Sequence, residues 1–273
     1  MFKNVDSLKG YIKNESKKNN MTAQSGYIYF FTRQFLINLF NQTDVFTITG
    51  NIAQVANIGR FARPITDIDI ISGDSIKNIV EQFYETLKVE NNGISFGLVK
   101  TPTLSSSGTF SVSLKGAYDH IEQPIGIDFK AEPPRQMITK EMPKIFSKDE
   151  DLNMQVVSLN SHLARKLYVI ARGIYMRTKG YQLSRYKDFF DVYTMSEETF
   201  DYEQVREYYQ ELMDLNRIPD NIHEVLNDEF IMAINGEYAK CMNSFQVINY
   251  SVFDHVYRIK LLMEAFSKKS NIK

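Results

Sequence analysis

Asp67 and Asp69 stand one residue apart in an apolar run, Ile65-Thr66-Asp67-Ile68-Asp69-Ile70-Ile71. Side chains alternate faces along a strand, so a strand here sets both carboxylates on one side and Ile68 and Ile70 on the other. Two carboxylates at that spacing can share divalent cations, because hard ions such as Mg²⁺ or Mn²⁺ take oxygen ligands and bridge onto substrate phosphates. An earlier β-like run, Val45 to Thr49, ends in Gly50-Asn51. Glycine lets backbone approach a ligand closely, and the N–H groups that open a following helix form an anion site. Phosphate and metal would then sit together. The plainer alternative for the same residues is a half-buried hairpin edge with two solvated aspartates.

Asp128 lies at the centre of Ile125-Gly126-Ile127-Asp128-Phe129-Lys130, where an unpaired carboxylate among apolar neighbours is costly. It is the candidate third metal carboxylate; a hydrogen-bonded structural aspartate is the alternative. Further on, Lys166 borders the apolar stripe Leu163, Leu167, Ile170 and Ile174 of a helix expected over 156–179. Asp188 and Asp191 are i, i+3 neighbours on a short helix for which Ser184 is the expected cap. A lysine beside an apolar stripe pays for desolvation unless an anion is near, and either Asp188, 22 positions on, or bound phosphates could serve, so Lys166 and Asp188 are expected to face one cleft.

Elements must position these groups. Residues 1–24 are polar and Lys-rich and read as peripheral. Tyr27 to Phe40 and Ser75 to Leu87 carry apolar residues at helical spacing and should cover a sheet, the second capped by Asp74 or Ser75. Runs at 94–101, 109–118 and 124–130, broken by Gly, Ser and Pro, should complete a mixed sheet. Residues 132–155, with Pro133, Pro134 and Pro143, read as a connector, after which the chain should be helical. The closing helices offer Phe245, Val247, Ile248, Val252, Phe253, Val256, Ile259, Leu262 and Met263 as core candidates. The expected division is a mixed α/β domain over 1–145 and a helical domain over 146–273.

The chain has 273 residues, 43% of them hydrophobic, enough for a sizeable core. A net charge of −1 gives no global nucleic-acid footprint, so any electrostatic argument is local. One block is basic: between residues 160 and 191, Arg165, Lys166, Arg172, Arg177, Lys179, Arg185 and Lys187 face only Asp188 and Asp191, a formal charge of +5. That suits an RNA backbone, although an ordinary surface helix or a triphosphate would use the same residues. Residues 196–230 carry eleven Asp/Glu against two Arg, a solvated face or a docking face for a basic partner. The single cysteine, Cys241, excludes an intrachain disulfide framework and a multi-cysteine zinc site, and reads as a buried small hydrophobe. No apolar h-region or membrane span stands out, so a cytoplasmic protein without a membrane partner is expected.

A Gly turn after a strand, with Asp-x-Asp on the next strand, resembles the polymerase-β-like nucleotidyltransferase superfamily. Ala164-Arg165-Lys166-Leu167-Tyr168 and Lys187-Asp188-Phe189-Phe190-Asp191-Val192-Tyr193, in that order, are similar to the AbiEii/AbiGii branch of nucleotidyltransferase toxins. The resemblance implies an α+β fold: a mixed sheet with flanking helices, followed by a C-terminal helical bundle. It implies Asp67 and Asp69 as the metal pair, Asp128 as the third strand carboxylate, Lys166 as the lysine facing the triphosphate and Asp188 as an essential late aspartate. Gly50 and Asn51 would contact nucleotide, with Asn51 standing where the family usually has Ser or a second Gly. It further implies transfer of NMP from an NTP, with Mg²⁺ or Mn²⁺, to a tRNA 3′ end. The setting would be a toxin–antitoxin or abortive-infection system with a cognate antitoxin. A small-molecule or protein acceptor, or a non-catalytic RNA- or partner-binding role, are the alternatives.

Overall fold

The structure, a computed structural model, describes residues 2–106, 108–245, 247 and 250–268. It divides into two compact units, Met1–Ser158 and Leu159–Lys273.

The first unit is an eight-stranded mixed sheet with helices. Its elements are α1 (Val5–Lys18), α2 (Ala23–Gln42), β1 (Thr47–Thr49), α3 (Gly50–Ile58), β2 (Asp67–Ser72), α4 (Ile76–Leu87), β3 (Ser95–Leu98), β4 (Thr103–Leu104), β5 (Thr109–Tyr118), β6 (Ile121–Ala131), β7 (Met137–Glu141) and β8 (Asn153–Val157). The strand order is β3-β5-β6-β2-β1-β8-β7, with β4 also on β5. β1 runs antiparallel to β2, whereas β2 with β6 and β1 with β8 are parallel pairs. The period-2 patterns decide which face is core: Ile68 and Ile70 of β2, Phe110, Val112 and Leu114 of β5, and Ile125, Ile127 and Phe129 of β6 are all buried. Phe31, Phe35, Leu36 and Leu39 of α2 and Ile79 and Phe83 of α4 join the same core. Thr22 caps α2 through Ser25 N–H and Ser75 caps α4 through Asn78 N–H, as short polar side chains do at helix starts.

Two expectations for this unit are corrected. The N-terminal segment is not peripheral: α1 opens with an Asn4–Ser7 capping box and drives Leu8 and Ile12 into the core. Its buried Glu15 accepts from Ser147 N–H at 2.7 Å. The supposed connector is not one either. Met154 and Val156 alternate into the core as β8, and β7 pairs with it, so the compact unit runs to Ser158 rather than to 145. The loop between them is held by Arg33, which is fully buried and donates to Glu150 O at 2.6 Å beside Asp149. Asp149 in turn accepts from the N–H groups of Ile145 and Phe146 and from the Tyr29 hydroxyl.

The second unit is helical: α5 (Leu159–Thr178), α6 (Tyr186–Met195), α7 (Tyr202–Leu215), a short 3-10 turn (Ile222–Val225), α8 (Asp228–Ser244) and α9 (Val252–Ala265). The expected stripe Leu163, Leu167, Ile170 and Ile174 is buried. Val192, Val205, Tyr209, Ile234, Tyr238, Val256, Ile259 and Met263 complete that core. Three expectations fail in detail. Ser184 does not cap α6, which begins after Arg185 with no side-chain cap. Phe253 is exposed on α9, because Val252 and Val256 already take the inward positions. Cys241 is only half-buried, and Ile248 lies outside the described residues.

Candidate active site

In the first unit the sheet register assembles the carboxylates. Asp69 is paired with Thr49 of β1 on one side and with Asp128 of β6 on the other, and Asp67 lies two residues along on the same face. Asp128 is in turn opposite Ser111 of β5, whose hydroxyl donates to Asp128 Oδ1 at 2.6 Å. Thr66 donates to Asp67 Oδ1 at 2.9 Å. All three aspartates are half-buried on the face away from the apolar core. The sequence pattern anticipates this face; Ser111 it does not, because a serine in an alternating strand carries no signal until the register is known.

Gly50 closes the same corner. Its φ of +64° is left-handed, the region that glycine enters without strain. A Cβ here would overlap Asp69 Oδ2 and come within 2.9 Å of Asp69 Cγ. The opening of α3 therefore lies directly against the Asp69 carboxylate. Asn51 is buried, and its Nδ2 donates to Pro64 O at 3.0 Å, in the segment that leads into Asp67.

Asp67, Asp69 and Asp128 fit a divalent cation as a shared site rather than a closed cage. Among the described residues no three His, Cys, Asp or Glu converge tightly enough to hold a metal alone. Mg²⁺ characteristically takes one or two carboxylates and completes its shell with water and substrate phosphates. An aligned carboxylate pair beside a helix opening meets that requirement.

In the second unit, Lys166 of α5 is buried and donates to Asp188 Oδ1 at 2.5 Å and to Asp191 Oδ2 at 2.7 Å, both fully buried carboxylates on α6. Arg185 Nε donates to Asp188 Oδ2 at 2.8 Å. Burial alone would lower the Lys166 ammonium, but Asp191 and Asp188 outweigh it and hold the group above its ordinary range. The lysine is therefore a permanent cation. The i, i+3 spacing sets Asp188 and Asp191 side by side on α6, and both reach the same ammonium.

The proposed RNA-facing residues separate into two groups. Arg172 and Lys179 are exposed, and Arg165, Arg177 and Lys187 are half-buried. Arg177 stacks on Phe230 and Lys179 lies over Tyr175, while Arg185 is engaged by Asp188.

A family model described as nucleotidyl transferase AbiEii toxin, Type IV TA system, matches residues 58–255. The chain belongs to that family. The matched span holds Asp67, Asp69, Asp128, Lys166, Asp188 and Asp191, while Gly50 and Asn51 precede it. The AbiEii-type chain also shares its fold with solved structures. JHP933 from Helicobacter pylori superposes with a TM-score of 0.54 at 13% identity, covering 91% of this chain and 94% of that one. A proposed nucleotidyltransferase from H. pylori gives 0.53 at 14% identity, covering 91% and 97%. No curated protein matches the chain. Among the described residues no helix is long and apolar enough to cross a membrane.

Proposed function

We propose that this AbiEii-type chain transfers a nucleoside monophosphate from an NTP to an acceptor hydroxyl, that the acceptor is the 3′ end of a tRNA, and that the reaction takes place in the cytoplasm. The observation that carries the reading is the register that sets Asp69 beside Asp128 and against the Gly50 turn. Main-chain N–H groups at Gly50 and Asn51 hold phosphate oxygens, since the start of α3 concentrates partial positive charge and Thr49 does not cap it with its side chain. Asp67, Asp69 and Asp128 hold Mg²⁺ or Mn²⁺, which supplies charge neutralisation at the phosphates when bound. Lys166 is assigned to the triphosphate on the strength of the family resemblance, and Asp188 and Asp191 hold its ammonium in place. The acceptor hydroxyl gives up its proton to solvent and attacks the α-phosphorus, a new P–O bond forms, and the α–β bridge breaks to release pyrophosphate.

A tRNA is favoured because Arg172 and Lys179 are exposed on or just beyond the helix that carries Lys166, and Arg165, Arg177 and Lys187 are partly accessible. As a toxin of the Type IV class it would be countered by an antitoxin, and the stripe Glu203, Glu207, Glu211 and Asp214 on α7 suits a basic partner. The test is incubation with each labelled NTP and Mg²⁺, first with total RNA and then with protein alone. Label in tRNA with wild type and none with Asp69→Asn is the expected result. Label confined to protein or to a small molecule would replace the acceptor, and no label with any NTP would remove the transferase reading.

A further inference from the structure

Asn51 stands at the first turn of α3, where a phosphate contact from the side chain would be the obvious role. Its geometry points elsewhere. The side chain is buried, Nδ2 is committed to Pro64 O at 3.0 Å, and Oδ1 meets no donor among the described residues. An amide oxygen accepts hydrogen bonds and so cannot bind a phosphate oxygen, which also accepts. The donor half of the amide is the half turned to Pro64.

Pro64 lies three residues before Asp67, in the segment that joins α3 to β2. Between them, Ile65 is buried and Thr66 donates to Asp67 Oδ1. Pro64 also fixes its own φ and biases Arg63 toward extended backbone, so a bond to its carbonyl transmits position along the segment with little slack. At the other end, Asn51 follows Gly50, whose missing Cβ lets α3 lie against Asp69. One side-chain bond thus joins the phosphate-facing helix turn to the segment that delivers the first carboxylate.

We infer that Asn51 is a positioning residue: its side chain ties the opening of α3 to the Pro64 segment and so sets Asp67 relative to the α3 N-terminus, while only its main-chain N–H faces the nucleotide. This rests on Asp67 and Asp69 being the metal pair, but the tether itself does not. A serine at position 51 would be too short to span the same gap, so Asn51→Ser should impair this chain.

The test uses Asn51→Ser, and Asn51→Asp as a near-isosteric variant that cannot donate to a carbonyl when ionised. Amide hydrogen exchange of the free protein is compared between residues 60–67 and the reference strand 121–131. Loss of one buried hydrogen bond should speed exchange in 60–67 about five- to tenfold relative to the reference in both variants. In transfer assays kcat should fall while the KM for NTP stays within about twofold, because a displaced carboxylate affects the reacting geometry more than ground-state binding. Unchanged exchange in 60–67 would overturn the tether. A raised KM with unchanged kcat would return Asn51 to phosphate binding. Absence of transfer by wild type would count against the proposed activity instead, and the exchange measurement would still decide the tether.

Discussion

Gly50 and Asp69 are in such close approach that position 50 has room for a hydrogen and nothing larger. A Cβ would come within 3.0 Å of Asp69 Cβ and closer still to the carboxylate. Because the backbone is also left-handed there, at φ +64°, two independent penalties fall on any other residue.

Gly50→Ala should therefore lower stability by at least about 1 kcal/mol and displace the Asp69 carboxylate. On the proposed function, NTP transfer should drop by more than the stability loss explains, because the displaced group is one of the proposed metal carboxylates. Comparing melting temperature with turnover measured well below the melt checks this. Full activity in a destabilised variant would show that the close approach serves folding alone.

How far the sequence foretells this arrangement depends on how local the cause is. Asp67 and Asp69 on one face, Ser75 at the start of α4 and the buried stripe of α5 follow from strand period, capping chemistry and helical spacing, all of which act within a few residues. The partners across strands do not. Ser111 beside Asp128 is set by the β5–β6 register, and β8 pairs with β1 from more than a hundred positions away. The Arg33–Asp149 pair is equally non-local, so Arg33 reads as a break in an apolar helix and Asp149 as part of a solvated charge run. Lys166 and Asp188 were foreseeable together because a lysine at an apolar border calls for an anion and the family resemblance pointed to Asp188 as that anion. That Asp191 would share the same ammonium depends on how α6 rests on α5.

The Lys166, Asp188 and Asp191 cluster should behave as one unit under mutation. Lys166→Ala leaves two buried carboxylates without their cation, and the cost should be about 3–5 kcal/mol. Asp188→Asn removes one of the two counter-charges and also frees Arg185, so it should misplace the lysine and weaken NTP binding. With Lys166 already removed, Asp188→Asn should do little further harm, giving a coupling energy of about 1–3 kcal/mol. Urea unfolding and NTP transfer on the same four proteins measure it. Strict additivity in both readouts would mean that the lysine and the aspartate act separately.

His255 gives the second unit a pH dependence of known sign. The ring is buried on α9 against Tyr193, its centroid 4.2 Å from that ring, and Nδ1 meets the Tyr238 hydroxyl. Burial pushes its pKa down to about 4, with Asp254 opposing only in part. The unfolded chain titrates the same ring near the ordinary histidine value of about 6.5, so between the two values the unfolded state binds more protons. Stability must then rise with pH across that window: the contribution is complete above about 6.5 and is lost as pH falls toward 4. The full shift corresponds to roughly 3 kcal/mol. His255→Phe, which fills much of the same space without a titratable nitrogen, should flatten that part of the stability–pH curve while leaving a Tyr238 hydroxyl to be satisfied, at about 1–2 kcal/mol in its own right. Urea unfolding from pH 4.5 to 7.5 on wild type and His255→Phe checks the difference. Parallel curves would show that the ring titrates alike in both states and plays no part in the acid sensitivity of the helical unit.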